Sequence, residues 1–393
     1  MIATTDSDRL TNGTRTFYQH AAPDDWVGLG LWCRAGSRFE RPGEAGWAHL
    51  LEHLWFRGGH RHDAVAVDRA SDRLGGWVNA ETGREMIGLW GLAPRHHAEE
   101  LAALLLDMFL APAFSDSDVT SEKNLIRDEL EQRGLDPVEG ALTRALARAW
   151  PASALAEPLA NPDHSLDQAD AERLHAWLTE HAVGPGTVAT LLGDWPDHAR
   201  QRIQDGLTAL PSLPAPTPSP PPEPASPSRE AIGAQRAALV WATPTPGYAD
   251  TAYDGAALAT RALGGGLSAL LPARLRREAG LVYDISAHVE TTLDAGAAVV
   301  QTVTSQAERT AAIVEHSLAT VQARGLPISA ISDAEQGDRA REALAATQPV
   351  ATMRELAMGG IAGRWPSYDG LAEAARVALC HGNWTRTCQP VDG

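Results

Sequence analysis

The order of hydrophobic patterns along the chain predicts an α+β fold built as two similar halves. Three observations carry this. A strand pattern, a helix pattern, a glycine break, two strand patterns and two helix patterns follow one another in the first part of the chain, and roughly the same order returns beyond residue 236. Between them, from Pro211 to Pro227, proline recurs about every second residue, the composition of an extended, semi-rigid linker. Finally, 44% hydrophobic residues in a chain of 393 suffice for two cores of ordinary size. The expected organisation is a first half at 1–210, a linker at 211–228 and a second half at 229–393.

In the first half, Asp25 to Arg34 alternates apolar with small or polar positions and reads as a strand, which Ala35-Gly36-Ser37-Arg38 ends. Gly46 to Phe56 reads as a helix. Another is expected from Val65 to Leu74, stopped by Gly75-Gly76, and Trp77–Thr82 with Glu85–Leu92 reads as a strand hairpin. The spacing of Leu101, Leu104, Leu105 and Met108 predicts an amphipathic helix over His97–Leu110. A second is expected from Ser117 to Arg133, with Val119, Leu125, Ile126 and Leu130 inward and Gly134 and Asp136-Pro137 as its stop. Helices at Ala141–Trp150 and Gln168–Glu180 and a strand at Val188–Gly193 complete this half. In the second half the expectations are a strand at Ala237–Thr243, helices at Asp254–Leu263 and Leu267–Arg277 around Gly264-Gly265-Gly266, strands at Tyr283–Glu290 and Ala297–Val303, and helices at Ala307–Arg324 and Ile331–Ala346.

A formal charge of -17 argues against nucleic acid as the partner. Three cysteines, Cys33, Cys380 and Cys388, stand far apart without C-x-x-C spacing, so neither a disulfide framework nor a cysteine zinc site is indicated. The N-terminus lacks the pattern of a signal peptide, and no run approaches the roughly 18 apolar residues of a membrane span. The expectation is a soluble, cytoplasmic protein that binds no membrane.

The densest chemistry lies in His49-Leu50-Leu51-Glu52-His53. On a helix, His49 and His53 stand one turn apart on one face and can aim both imidazoles at one metal ion, with Glu52 beside them. H-x-x-E-H is the reverse of the H-E-x-x-H zinc motif. A catalytic zinc typically takes three protein ligands and leaves a place for water. The helix from Ser117 offers Glu122, Asp128, Glu129 and Glu131 for the third. Glu122 and Glu129, two turns or about 10 Å apart on one face, can both approach the site, but not easily as ligands of one ion. One would ligate and the other would hold a ligand in place. His60 and His62 form a second pair, but in an apparent loop, where they read as surface residues. Gly264-Gly265-Gly266 is not followed by Lys-Ser/Thr and does not indicate a nucleotide loop.

Together with Ala35-Gly36-Ser37-Arg38-Phe39-Glu40, Gly75-Gly76-Trp77-Val78-Asn79-Ala80-Glu81-Thr82 and the Glu122/Glu129 pair, this motif resembles the pitrilysin/insulinase family, and most closely its mitochondrial-processing-peptidase-like branch. The resemblance covers nearly the whole chain. In the second half, Leu263 to Ser268 and Leu275 to Tyr283 are similar to the family's glycine-rich segment and its arginine/tyrosine pair. The resemblance implies two duplicated halves, each an antiparallel-rich sheet covered by helices, closing around a chamber as a dimer. It implies Zn2+ held by His49, His53 and Glu129, with Glu52 as general base and Glu122 supporting a ligand. Asn79 and Ala80 would lie on an edge strand beside the scissile bond, and Arg276 and Tyr283 would assist from the other half. The expected function is a zinc endopeptidase cleaving short or unfolded peptides with zinc-activated water. Precursor or leader processing and general peptide turnover both fit, as do a homodimer and a heterodimer with a paralogue. The competing reading is a non-catalytic structural or partner-binding subunit of a family heterodimer.

Overall fold

The structure is a computed structural model, and it describes residues 5–20, 25–134, 136–151, 153, 155–156, 164–221, 223–344, 347–365 and 370–391. Contacts gather the chain into two compact units, neither continuous in sequence. The first comprises 1–130, 159–218 and 342–365, and the second 131–158, 219–341 and 366–393.

The strands of the first unit are β1 (Thr5–Arg9), β2 (Arg15–Gln19), β3 (Trp26–Cys33), β4 (Val78–Thr82), β5 (Ile87–Pro94) and β6 (Thr187–Leu192), joined in one sheet in the order β1-β2-β6-β3-β5-β4. β2 and β6 run parallel and the remaining neighbours antiparallel. The helices of this part of the chain are α1 (Trp47–Trp55), α2 (Ala64–Leu74), α3 (Ala98–Leu110), α4 (Asp116–Gly134), α5 (Pro137–Ala149), α6 (Ala171–His181) and α7 (Asp197–Thr208).

Alternation along β3 sorts its side chains between two layers. Val27, Leu29, Leu31 and Cys33 join the core that also holds Leu50, Leu51 and Leu54 of α1, Leu101 and Leu105 of α3, and Ile203 and Leu207 of α7. Full burial of each α1 leucine stabilises the fold by about 1.5–3 kcal/mol, which fixes the helix rotationally and so fixes its histidines. On the opposite face the Trp32 indole lies across the sheet, its Nε1 donating to Thr190 Oγ1 at 3.0 Å. Neighbouring glycines make its room: a Cβ at Gly88 would stand 2.1 Å from the ring, and one at Gly30 2.5 Å from Nε1.

The second unit holds β7 (Ala237–Pro246), β8 (Val282–Thr291), β9 (Ala295–Thr304) and β10 (Thr385–Pro390) as an antiparallel sheet in the order β10-β7-β9-β8. Its helices are α8 (Ala252–Gly264), the single turn α9 (Leu270–Pro272) leading into a π-helix at Ala273–Glu278, α10 (Ala307–Arg324), α11 (Ile328–Ala343) and α13 (Ala372–Ala378); α12 (Pro349–Ala362) lies between these last two in sequence. Leu239, Trp241 and Val300 pack with Leu258 and Leu263 of α8 and Val314 and Leu318 of α10.

The second face of each sheet is covered by an exchange. α5, from the first part of the chain, sets Ala141, Ala145, Leu146 and Ala149 against Val240, Ala242 and Val299 in the second unit. α12, from the last part, sets Met353, Leu356 and Ala357 against Trp32, Trp90 and Val188 in the first.

The α+β class with two helix-covered sheets agrees with the sequence. Several elements differ. β1, β2, α7, α12, α13 and β10 are additional to the elements expected from the sequence, although α7 buries Ala199, Ile203 and Leu207 at helical spacing. Leu125, expected inward, is 53% exposed. The helix expected over Leu267–Arg277 starts only at Leu270, as one α-turn followed by a π-helix; Pro272, which could not donate to Ser268 in a helix begun at Leu267, falls in the first turn, where no donor is needed. α11 starts at Ile328, and the last two residues expected for it, 345 and 346, lie outside the described residues, as does 222 in the proline-rich stretch.

Candidate metal centre

Helix α1 begins where Gly46, at φ 88°, turns the chain into it. Glu40 caps it: Oε2 accepts from Gly46 N at 3.0 Å and Oε1 from Ala48 N at 2.8 Å, placing a negative charge at the positive end of the helix dipole. His49 follows one residue later and is 5% exposed. One turn on, the half-buried His53 ring stands 4.7 Å from it, nearly perpendicular.

The two Nε2 atoms converge to 3.2 Å, and Glu129 Oε2 lies 3.6 Å from each. Glu129 comes from α4, as does Glu122, whose Oε2 is 3.0 Å from His53 Nδ1. With Nδ1 as donor, the imidazole is held in the tautomer whose Nε2 lone pair faces His49. Arg57, one turn beyond His53, donates from Nε to Glu122 Oε1 at 2.7 Å and from a second nitrogen at 2.6 Å. The hydrogen bond from His53, joined by Arg57, holds the Glu122 carboxyl below its ordinary range, so this buried group is an anion. Burial opposes protonation of His53, but Glu122 and the other carboxylates outweigh it and raise its pKa.

Glu52 faces strand β4. Thr82 Oγ1 donates to its Oε2 at 2.5 Å, and burial raises the Glu52 carboxyl above its usual value even though that hydrogen bond lowers it. A raised carboxyl is a stronger base than an ordinary glutamate, which suits it to accepting a proton.

Among the described residues, His49, His53 and Glu129 are the group of ligand atoms able to hold one ion, all within 4.8 Å of one another. Ligands held tetrahedrally at about 2.0–2.1 Å stand about 3.3 Å apart. The observed 3.2, 3.6 and 3.6 Å match that spacing, and two imidazoles with one carboxylate are a donor set that zinc takes. The residues fit the ion.

Asp128 and Glu131, the other candidates on α4, are exposed. Asn79 and Ala80 lie on β4, the terminal strand of its sheet; Asn79 is exposed, and its Oδ1 accepts from Ala80 N at 2.8 Å. Arg276 and Tyr283 belong to the second unit, where the guanidinium sits over the 86% exposed phenol ring at 5.3 Å. His62 bonds Asp107 at 2.8 Å and His60 is exposed, so this pair is separate from the cluster. Cys33 is fully buried, and burial pushes its thiol up to about 12, which makes it inert. Sequence reading missed Thr82 and Arg57. Both had a faint signal: Thr82 closes the Asn79-Ala80-Glu81-Thr82 segment, and Arg57 sits four residues after His53.

Comparison with known proteins adds the family. A family profile described as Insulinase (Peptidase family M16) matches residues 15–163, and one described as Peptidase M16 inactive domain matches 169–336. The chain belongs to peptidase family M16. The M16 match to the second half by an inactive-domain profile accords with the absence of H-x-x-E-H there. Among M16-like relatives, the uncharacterized zinc protease YmxG of Bacillus subtilis is 27% identical over 189 residues, 47% of this chain and 46% of that protein. The probable mitochondrial-processing peptidase subunit alpha-2 of Arabidopsis thaliana is 26% identical over 239 residues, covering 61% and 48%. The mitochondrial-processing peptidase subunit beta of Mus musculus is 24% identical over 184 residues, covering 47% and 37%. The chain thus matches about half the length of these relatives or less. The M16 fold extends to a protease of Helicobacter pylori, with a TM-score of 0.87 at 15% identity over 98% of this chain and 100% of that one. A peptidase M16 inactive domain from Pseudomonas fluorescens gives 0.86 at 18% identity over 98% of both. Among the described residues, no helix is long and apolar enough to cross a membrane.

Proposed function

We propose that this chain is a zinc-dependent endopeptidase that hydrolyses short or unfolded peptides bound as an added β-strand. The observation that carries the reading is the convergence of His49, His53 and Glu129 beside a raised, anchored Glu52. Zinc, when bound, would supply Lewis-acid polarisation and lower the pKa of a water toward neutrality. Glu52, with Thr82 holding one of its oxygens, would serve as the general base through the other oxygen and would pass the proton on to the leaving amine. Glu122 fixes the His53 tautomer and is itself fixed by Arg57.

Asn79 and Ala80 present the strand edge to which an extended peptide adds, with main-chain hydrogen bonds as the source of affinity. Arg276 and Tyr283 are assigned to gripping the peptide and stabilising the developing oxyanion. One chain then carries both parts, so a homodimer would be self-sufficient; the relatives named as alpha and beta subunits support a paralogous partner as the other arrangement.

The test is zinc content and peptide hydrolysis for the wild type and Glu52→Gln. One zinc per chain in both, with hydrolysis lost only in the variant, is expected. Hydrolysis retained in Glu52→Gln would overturn the mechanism, and a metal-free wild type that binds a paralogue without turning over peptide would favour the non-catalytic subunit.

A further inference from the structure

We propose that Arg354 is a positioning residue for peptide binding: through a two-point ion pair with Glu81, it holds edge strand β4 in the place where an extended peptide would add to it. The inference rests on the peptidase reading above. β4 is a five-residue terminal strand, hydrogen-bonded to β5 on one side. Short edge strands fray easily, and a displacement of about 1 Å at a reacting centre can cost 10²-fold in rate. Alternation sends Val78 and Ala80 into the core shared with α1, and Thr82 to Glu52. Glu81 therefore points to the other face.

That face is where α12 packs, across β6, β3 and β2. Beside Met353, Arg354 donates from Nε to Glu81 Oε1 and from a second nitrogen to Oε2, each at 2.5 Å, across 273 residues of sequence. Glu81 also raises the Arg354 pKa, as expected of a tightly held charge pair. A half-exposed ion pair adds little stability by itself, but a planar guanidinium bonded at two points fixes orientation. What it orients is the residue between Ala80, on the proposed peptide edge, and Thr82, which holds the proposed base. A helix from the part of the chain without the zinc motif thereby reaches the working strand.

The experiment uses the full zinc-loaded chain and one fluorogenic extended peptide. It compares wild type, Arg354→Gln, Arg354→Lys and the reversed pair Glu81→Arg/Arg354→Glu, and measures peptide Kd for each in a Glu52→Gln background. Loss of the two-point pair should raise KM and Kd about five- to ten-fold, with zinc content and Tm held and kcat changed less than KM. Lysine, a point charge without the fork, should recover part of the affinity, and the reversed pair most of it. Equal KM and Kd in wild type and Arg354→Gln would overturn the assignment, as would losses that track zinc content or Tm and are not recovered in the reversed pair. A wild type that neither binds nor cleaves peptide would overturn the peptidase reading and this inference together, whereas an active wild type beside an indifferent Arg354→Gln would overturn this inference alone.

Discussion

His53 Nδ1 meets Glu122 Oε2 at 3.0 Å while Arg57 grips the other oxygen of the same carboxylate, so a three-residue chain sets which nitrogen of His53 faces His49. Replacing Glu122 by Gln removes the anion and lets the amide donate to Nδ1, favouring the wrong tautomer. Zinc affinity is expected to fall about 10- to 100-fold, read by competition with a chelator. Unchanged affinity would show that Glu122 merely lines the helix.

Thr82 gives a separable effect. Thr82→Val removes the 2.5 Å hydrogen bond to Glu52 without touching a candidate ligand. Zinc content should hold while kcat falls about 10-fold, less than the 10²- to 10⁴-fold that the base itself typically supplies, because the base stays and only its anchor is lost. That hydrogen bond lowers the Glu52 pKa, so its loss should move the acidic limb of the pH-rate profile upward.

His181 predicts a pH dependence of stability. It is 2% exposed, stacked on Trp177 at 4.0 Å, and its Nδ1 donates to Trp177 O at 2.7 Å. Burial depresses its pKa below the ordinary histidine value of about 6.5. The unfolded chain then takes up a proton that the folded chain refuses, so this contribution is whole above about pH 6.5 and is lost as pH falls toward the folded value. Urea unfolding should show a steeper loss of stability from pH 7 to pH 5.5 in wild type than in His181→Phe; parallel curves would remove His181 from the account.

Gly88 tests the Trp32 layer. A methyl there would stand 2.1 Å from the indole, so Gly88→Ala should destabilise by about 1–3 kcal/mol in urea titration. Adding Trp32→Leu should recover part of that loss. A fully additive double mutant would contradict direct contact.

The sequence made the chemistry more legible than the packing. α3 and α10 show plain helical periodicity, and His49, Glu52 and His53 state their spacing in five residues. Choosing Glu129 over Asp128 and Glu131 followed from the resemblance, and helix rotation now puts the latter two in solvent. β1, with the sequence Thr-Asp-Ser-Asp-Arg, has no apolar alternation to read because it is an edge strand. Arg57 and Thr82 were visible as residues, but what they touch depends on α4 and β4 arriving beside α1. The Glu81–Arg354 pair, 273 positions apart, has no local signal at all.

The exchange of α5 and α12 also decides how the gene could be divided. A cut at the proline-rich stretch leaves one fragment without Met353, Leu356 and Ala357 over Trp32 and Trp90, and the other without Ala145 and Leu146 over Val240 and Val299. Each fragment would expose an apolar sheet face and tend to aggregate alone. Co-expressed, they would supply each other's missing helix, which makes this chain a candidate for fragment complementation at that stretch.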